Sequence, residues 1–197
     1  MPLDTTSTRM QPRVAWQAIQ QLIADPEDTA QVFTIIRAMS GPSVERGYRR
    51  FSRLRFGRKV IEEQIDLLDT LRDRDHLRTL RPESLGRAYL AFMESENLSA
   101  DGLVDASADD EERWATPELE RYGKRLRDQH DLWHTLTQYG RDELGELCLL
   151  AFTYAQTRNR GIGLIVLVGA LKLRKQHGNG VLRAACLLYT SPSPRDA

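Results

Sequence analysis

The chain has 197 residues and carries 28 basic and 28 acidic side chains, so its formal net charge at neutral pH is zero. This balance gives no global electrostatic case for nucleic acid, and we expect none as a partner. Two cysteines are too few for a disulfide scaffold and fit a reducing compartment, and no apolar stretch is long enough to span a membrane as a helix.

The first part of the chain predicts helices. Residues 1–12 are polar, and we expect them to be disordered, with one helical domain over residues 13–185. Apolar residues at helical spacing predict a first helix from Val14. A second helix should follow, with Asp25 as its N-cap and Pro26 at its first position. No alternating apolar pattern of useful length occurs, so the sequence predicts an all-α, single-domain multi-helix bundle.

A strongly basic stretch comes next. Residues 46–59 contain seven basic side chains and no acidic one. Apolar residues interleave with them at helical spacing, which predicts a basic amphipathic helix, continued by a core helix over residues 60–71. Such a helix could lie on an anionic membrane or bind phosphate. More commonly it is a core helix whose arginines are solvated on the outer face.

The most informative stretch is His130-Asp131-Leu132-Trp133-His134, and eleven residues separate His134 from Glu146. Residues four apart lie one turn apart on the same face of a helix, so the two imidazoles should converge, with Asp131 close by. We expect this motif on a long helix that begins at Pro117. Two imidazoles and a carboxylate at this spacing are what a divalent metal such as zinc requires.

Glu146 could be the fourth ligand. The run Tyr139-Gly140-Arg141-Asp142 predicts a break, with the glycine suited to a helix C-cap and Asp142 to the next N-cap. A metal site between the two motif helices would then form. The alternative is a chance pair of histidines at a helix end, with ordinary surface acids around it.

Residues 126–146 resemble the signature of the fourth of the Coq proteins of ubiquinone (coenzyme Q) biosynthesis. The motif of that family is His-Asp-x-x-His, eleven residues and then Glu, and all four residues match it at this spacing. Residues 82–89, with Phe92, resemble a second recurring segment of the family. The resemblance extends from about residue 13 to residue 183.

The resemblance implies a metal-dependent enzyme. The metal ligands would be His130, Asp131, His134 and Glu146, with Zn2+ as the expected ion and Fe2+ as an alternative. Asp131 is also the candidate catalytic base. The implied reaction is the oxidative decarboxylation of a polyprenylated hydroxybenzoate-derived precursor, in which hydroxyl replaces the carboxylate at ring carbon 1. The protein would be a decarboxylase, that is, a lyase.

Two other functions stay open. A non-catalytic scaffold would bind lipid and organise the other ubiquinone-biosynthesis enzymes, and the metal would only join two helices. A zinc peptidase is the second, because His-Asp-x-x-His imitates His-Glu-x-x-His. Asp131 is one methylene shorter than the glutamate of that motif, and no strand for binding a peptide is evident.

The resemblance also implies partners and a location. Residues 161–171 are apolar on every side, which is typical of a buried helix, and would form one wall of a cavity for a polyprenyl tail. We expect the partners to be the polyprenylated quinone precursor, other ubiquinone-biosynthesis enzymes and a membrane surface, and a homodimer is admissible. The protein would be cytoplasmic and peripheral to the inner membrane in a bacterium. In a eukaryote it would lie on the matrix side of the mitochondrial inner membrane.

The last twelve residues break the preceding pattern. Residues 186–197, from Cys186 to Ala197, resemble a translated cloning linker rather than natural sequence. We therefore expect the helical domain to be truncated at its C-terminus.

Overall fold

The computed structural model describes residues 9–25, 28–102, 104, 114–178 and 180–181, with only the backbone at 176–177. All regular structure in these residues is helical, which confirms the all-α prediction. The helices are α1 (Pro12–Ala24), α2 (Thr29–Met39), α3 (Ser43–Phe51), α4 (Arg55–Glu62), α5 (Leu67–Arg72), α6 (Arg74–Thr79), α7 (Leu85–Ser95), α8 (Pro117–Asp128), α9 (His130–Thr137), α10 (Glu143–Thr157) and α11 (Arg160–His177).

The helices form two compact units. One comprises residues 45–138 and contains most of α3 together with α4–α9, and we call it the central unit. The other combines the described residues before position 45 with those after position 138, and we call it the discontinuous unit; its helices are α1, α2, α10 and α11. Each unit has its own apolar core.

In the discontinuous unit, α11 packs against α10 and α2. Ile35 of α2 is fully buried against Ile165 of α11, together with Ala18 and Ile19 of α1. Gly161 permits this packing, because a Cβ at that position would lie 2.6 Å from the Ile35 carbonyl oxygen. The first turn of α11 therefore requires a residue without a side chain.

A buried polar residue joins two distant parts of the discontinuous unit. The side-chain oxygen of Asn159 accepts hydrogen bonds from the backbone N–H groups of Gly161 and Ile162, which caps α11. Its amide nitrogen donates to the hydroxyl of Ser40, just after α2, at 2.8 Å. Asn159 is 5 % exposed, so both ends of its amide are satisfied inside the protein.

The core of the central unit is formed by α5, α6 and α7, and α9 packs on it. Its buried residues are Leu71, Leu77, Tyr89, Leu90 and Met93. Leu132 of the motif helix packs against this cluster. The apolar residue inside the histidine motif thus fixes α9 to the core.

Several predicted helix boundaries are wrong. The stretch predicted as one basic helix and a core helix is divided into α3, α4 and α5, and the left-handed backbone of Gln64 (φ 52°) follows the end of α4. The metal motif lies on α9, a helix separate from the one that begins at Pro117. The second helix begins at Thr29, with Asp28 rather than Asp25 at its N-cap position, and Asp25 instead follows the end of α1. The predicted first position, Pro26, lies outside the described residues.

The apolar helix over residues 161–171 is not buried all round. Leu167 is 54 % exposed and Leu171 is 47 % exposed, whereas Ile162, Val166 and Ala170 are buried. One side of α11 packs into the core and another meets solvent. Along the described part of the chain, no helix is both long enough and apolar enough to cross a membrane.

Some predictions concern other parts of the chain. The disordered segment predicted at the N-terminus falls mostly on residues 1–8, and the predicted linker is residues 186–197. Residues 1–8 and 186–197 lie outside the described residues, whereas residues 9–12 are described and Pro12 is the first residue of α1. The boundaries predicted for the helical domain stay predictions.

Candidate metal centre

The two histidines of the motif lie one turn apart on α9. Their Nε2 atoms are 3.2 Å apart, and their rings meet edge to face with centroids 4.8 Å apart. Two nitrogens that bind one tetrahedral zinc ion at about 2.0–2.1 Å are separated by about 3.3 Å. The observed separation therefore suits two ligands of one ion. It equally allows one imidazole to donate a hydrogen bond to the other.

The apolar surroundings of His134 hold its ring in place. His134 is 1 % exposed, and the ring of Phe92 stacks on it with centroids 5.7 Å apart and 18° between the planes. Phe92 lies on α7, the helix that packs against α9. A ligand whose ring is packed in this way loses little conformational freedom when it binds a metal.

Glu146 lies in the first turn of α10, and two features fix the chain just before it. The side chain of Asp142 accepts hydrogen bonds from the backbone N–H groups of Leu144 and Gly145, each at 3.1 Å, which confirms the predicted N-cap. A Cβ on Gly145 would clash with the carbonyl oxygen of Gly140. Only glycine allows the loop to lie so close to the helix, and this contact determines where α10 begins.

The predicted C-cap of the preceding helix is different from the one observed. Gln138, rather than Gly140, takes the left-handed conformation that ends α9 (φ 58°), and its N–H donates to the carbonyl of His134 at 2.8 Å. Glycine is the usual residue for this conformation. The residue type at position 138 therefore does not indicate a helix cap.

Three of the four predicted ligands come together. The side chains of His130, His134 and Glu146 each offer a ligand atom, and these atoms all lie within 4.8 Å of one another. A span of 4.8 Å is wider than the edge of a zinc tetrahedron, about 3.3 Å. The carboxylate is the ligand best able to close the difference, because a glutamate side chain has more rotatable bonds than a histidine.

Asp131 is not a member of this group. It is half-buried in the first turn of α9, and its backbone carbonyl accepts a hydrogen bond from the hydroxyl of Thr135 at 2.9 Å. Tyr89 on α7 lies near enough to feel this carboxylate. Burial raises the pKa of the Tyr89 phenol, and the negative charge of Asp131 raises it further. The role of Asp131 as a ligand or a base stays a prediction.

A buried ion pair precedes the motif, and the sequence did not reveal it. Arg127 donates to the carboxylate of Asp128 at 2.7 Å through its guanidinium nitrogens, and the Asp128 side chain is only 2 % exposed. Burial raises the pKa of the Asp128 carboxyl, and the charge of Arg127 opposes this shift. Neighbouring residues in a helix usually face different directions, so sequence spacing gives no sign of such a pair.

Sequence comparison matches this chain to one family over most of its length. The family model described as Coenzyme Q (ubiquinone) biosynthesis protein Coq4 matches residues 5–187. The mitochondrial ubiquinone biosynthesis protein COQ4 of Yarrowia lipolytica is 31 % identical over 118 residues, which are 60 % of this chain and 43 % of that protein. The corresponding protein of Pyrenophora tritici-repentis is 33 % identical over 119 residues, covering 60 % and 39 %. The matched part thus spans less than half the length of these relatives.

The fold is also similar to a solved structure. A crystal structure of a proposed ubiquinone biosynthesis protein from Nostoc punctiforme PCC 73102 superposes with a TM-score of 0.61. The match covers 92 % of this chain and 84 % of that chain, at 17 % sequence identity. At this identity, the similarity shows a shared fold.

Proposed function

Because this chain belongs to the Coq4 family of coenzyme Q (ubiquinone) biosynthesis proteins, we propose that it catalyses a metal-dependent step in that pathway. The step is the oxidative decarboxylation of a polyprenylated hydroxybenzoate-derived precursor, with hydroxyl replacing the carboxylate at ring carbon 1. The observation that carries the proposal is the set of ligand atoms: two Nε2 atoms 3.2 Å apart, with a carboxylate of Glu146 within 4.8 Å.

The donor set fits a divalent ion. Two neutral imidazoles and one carboxylate leave a net positive charge on a bound Zn2+, and Fe2+ accepts the same donors. When bound, the ion would supply positive charge and Lewis acidity toward a ring oxygen. His130, His134 and Glu146 would hold it, and the stacked Phe92 would keep His134 in its binding orientation.

We assign Asp131 the acid–base role. It adjoins His130 in the sequence and lies in the same helical turn, and a carboxylate there can accept a proton from a phenolic substrate. A place as a fourth metal ligand is the alternative that the family motif implies. Both roles predict a loss of turnover when the charge is removed.

The polyprenyl tail requires an apolar surface, and α11 offers one. Leu167 and Leu171 are four residues apart, so they share one side of the helix, and both are about half exposed. We propose that the tail of the substrate lies along this side. Leu167→Asp should reduce polyprenyl lipid that co-purifies with the protein, measured by mass spectrometry. An exposed position tolerates this change better than the buried Val166 does.

The remaining partners and the location are proposals of the same kind. The fungal relatives are named mitochondrial, and we propose that this protein acts beside a membrane together with other ubiquinone-biosynthesis enzymes. We propose the inner membrane as that membrane, with the protein bound at its surface. A homodimer stays a prediction.

The decisive experiment removes the charge of Asp131. In an assay with purified protein, Zn2+ or Fe2+, dioxygen and the carboxylated polyprenyl substrate, mass spectrometry follows loss of carboxyl and gain of hydroxyl. Asp131→Asn should lower turnover about 10²–10⁴-fold while the helix content is retained. Asp75→Asn is the matched control, since the side chain of Asp75 is 95 % exposed on α6. If the wild type assembles with its partner enzymes but converts no substrate, the protein is a scaffold.

A further inference from the structure

The chain turns sharply between α3 and α4 and exposes a cluster of cations there. We call residues 49–59 the basic corner. Its six basic side chains are all exposed: Arg49, Arg50, Arg53, Arg55, Arg58 and Lys59. No acidic residue occurs in the sequence between Arg46 and Ile61, and the nearest one that pairs with the corner is Glu63, whose carboxylate lies 3.9 Å from the Lys59 ammonium.

Two apolar side chains lie within this cluster of cations. Leu54 and Phe56 are each 59 % exposed. Single exposed apolar residues are ordinary on protein surfaces. Two of them inside a run of six exposed cations, however, form a surface with both an apolar and a cationic part. Solvated arginines on the outer face of a core helix would not require such apolar residues.

The shape of the basic corner is fixed. A Cβ on Gly57 would clash with the carbonyl oxygen of Phe51, so the two helices meet as closely as the backbone allows. The N–H of Leu54 donates to the same carbonyl at 3.0 Å. The guanidinium of Arg125 on α8 lies 5.6 Å from the centre of the Phe56 ring. A surface held in place in this way needs little ordering before it binds a partner.

The chemistry of the corner suits an anionic membrane. The region between the headgroups and acyl chains accepts cations at the level of the phosphates and apolar side chains just below them. Nucleic acid would use the cations, yet it offers no apolar layer for Leu54.

We propose that the basic corner docks this protein on an anionic lipid bilayer, with Leu54 and Phe56 inserted between the lipid headgroups and the acyl chains. The docking rests on the peripheral membrane location proposed above, but it does not depend on the chemistry proposed for the metal centre. Variants that lose the metal should still bind vesicles, and variants of the corner should still bind the metal.

The test measures binding to vesicles by flotation. Wild-type protein should bind vesicles of equal parts phosphatidylcholine and phosphatidylglycerol, and should not bind phosphatidylcholine alone. Each cation near such a surface contributes about a fivefold factor in partition, so Arg53→Glu/Arg55→Glu should lower binding at least about 25-fold. Arg13→Glu/Arg81→Glu changes the net charge equally at two exposed positions elsewhere, and it should bind as the wild type does.

The apolar part has its own pair of variants. Leu54→Ser/Phe56→Ser should lower the partition coefficient about tenfold, because two partly inserted side chains lose their apolar contact. Trp16→Ser/Ile23→Ser removes two apolar residues of similar exposure on α1, 60 % and 56 %, and should have no effect. All substituted positions are exposed, so we expect each variant to fold, and thermal unfolding of each variant checks this.

Four results would overturn the proposal. They are no binding to anionic vesicles, equal binding to phosphatidylcholine alone, corner variants that bind as well as the wild type, and control variants that lose binding equally. An RNA duplex that binds the wild type, but not Arg53→Glu/Arg55→Glu, in the absence of vesicle binding would assign the corner to nucleic acid instead.

Discussion

The histidine pair of α9 and the basic corner both gather nitrogen-bearing side chains on short helices, but in opposite environments. His134 is 1 % exposed, and its Nε2 lies 3.2 Å from that of His130. In the corner, six cations are exposed along eleven residues. The first arrangement gives a defined geometry for a small ion, and the second gives a field that acts on an extended surface.

The difference determines how each region should respond to change. A buried group has few alternative positions, so its contribution depends on single atoms and is lost in one step. Exposed charges contribute gradually, nearly additively, and are screened by salt over about 8–10 Å. Raising the ionic strength should therefore release the protein from vesicles while the metal stays bound.

The largest effect should come from His134→Ala. It removes a buried ligand and leaves a cavity beside Phe92, so metal affinity should fall more than about 100-fold, beyond the usual effect of residues that only support a ligand. Elemental analysis and competition with a chelator measure this affinity. His76→Ala, at an exposed histidine, is the control. Retention of a full equivalent of metal by His130→Ala/His134→Ala would disprove the site.

Two glycine substitutions should distinguish the metal centre from the basic corner. In each, the new Cβ meets a backbone carbonyl, that of Gly140 for Gly145→Ala and that of Phe51 for Gly57→Ala. We expect each to lower the free energy of unfolding by about 1–3 kcal/mol, measured by urea denaturation.

Their functional effects should differ. Gly145→Ala should weaken metal binding because it displaces the start of α10, whereas Gly57→Ala should weaken vesicle binding only. Gly102→Ala is the control, because no atom of the described residues beyond its chain neighbours lies within 4 Å of the added Cβ. Equal loss of metal affinity in both variants would mean that the metal responds to global stability.

A smaller effect is expected from Phe92→Leu. The substitution keeps an apolar side chain but removes the ring stacked on His134, so the imidazole gains freedom. Metal affinity should fall about tenfold, the lower part of the range for residues that orient ligands. Phe33→Leu, on α2 in the other unit, is the control. An unchanged affinity in Phe92→Leu would show that α9 alone orients the ring.

The smallest effect concerns the thiol of Cys148 on α10. Burial, and then the charge of Asp142, raise its pKa above the ordinary value of 9.0. Because the thiolate is the reactive form, iodoacetamide should modify Cys148 several-fold more slowly in the native protein than in urea at the same pH. A Cys186→Ser background isolates this thiol.

The sign of the pH dependence follows from the same shift. The folded state binds the thiol proton more tightly than the unfolded state does, so this contribution to stability is complete below pH 9 and is lost as the pH rises above it. Equal alkylation rates in native and unfolded protein would contradict the burial.

The sequence predicted the helical class, the approach of the two histidines and the cap at Asp142, because each depends on short-range spacing. His130 and His134 are one turn apart in any α-helix, and Asp142 caps α10 as its side chain suggests. The predicted break at residues 139–142 made Glu146 a candidate ligand, but its distance from the histidines depends on a loop whose geometry no periodicity encodes.

Other features depend on tertiary contacts that spacing does not reveal. Gln64 and Gln138 take left-handed conformations that glycine usually fills, so both helix ends were missed. The exposure of Leu167 could not be predicted, because an all-apolar helix gives no indication of which side remains uncovered. The buried pair of Arg127 and Asp128 was missed for the same reason.

The bond from Asn159 to Ser40 has a consequence for the order of assembly. It joins residues 119 apart in sequence, so the discontinuous unit can form only after both of its chain segments, before and after residues 45–138, have been made. The entropic cost of closing a loop grows only slowly with its length, but contacts between residues so far apart in sequence form late in folding. During synthesis, α1 and α2 emerge before α11 and must wait for it, because α2 packs at the Ile35 carbonyl against Gly161 of α11. We therefore expect the central unit to fold while the ribosome is still making α10 and α11, and the first helices of the chain to be among the last to reach their final packing.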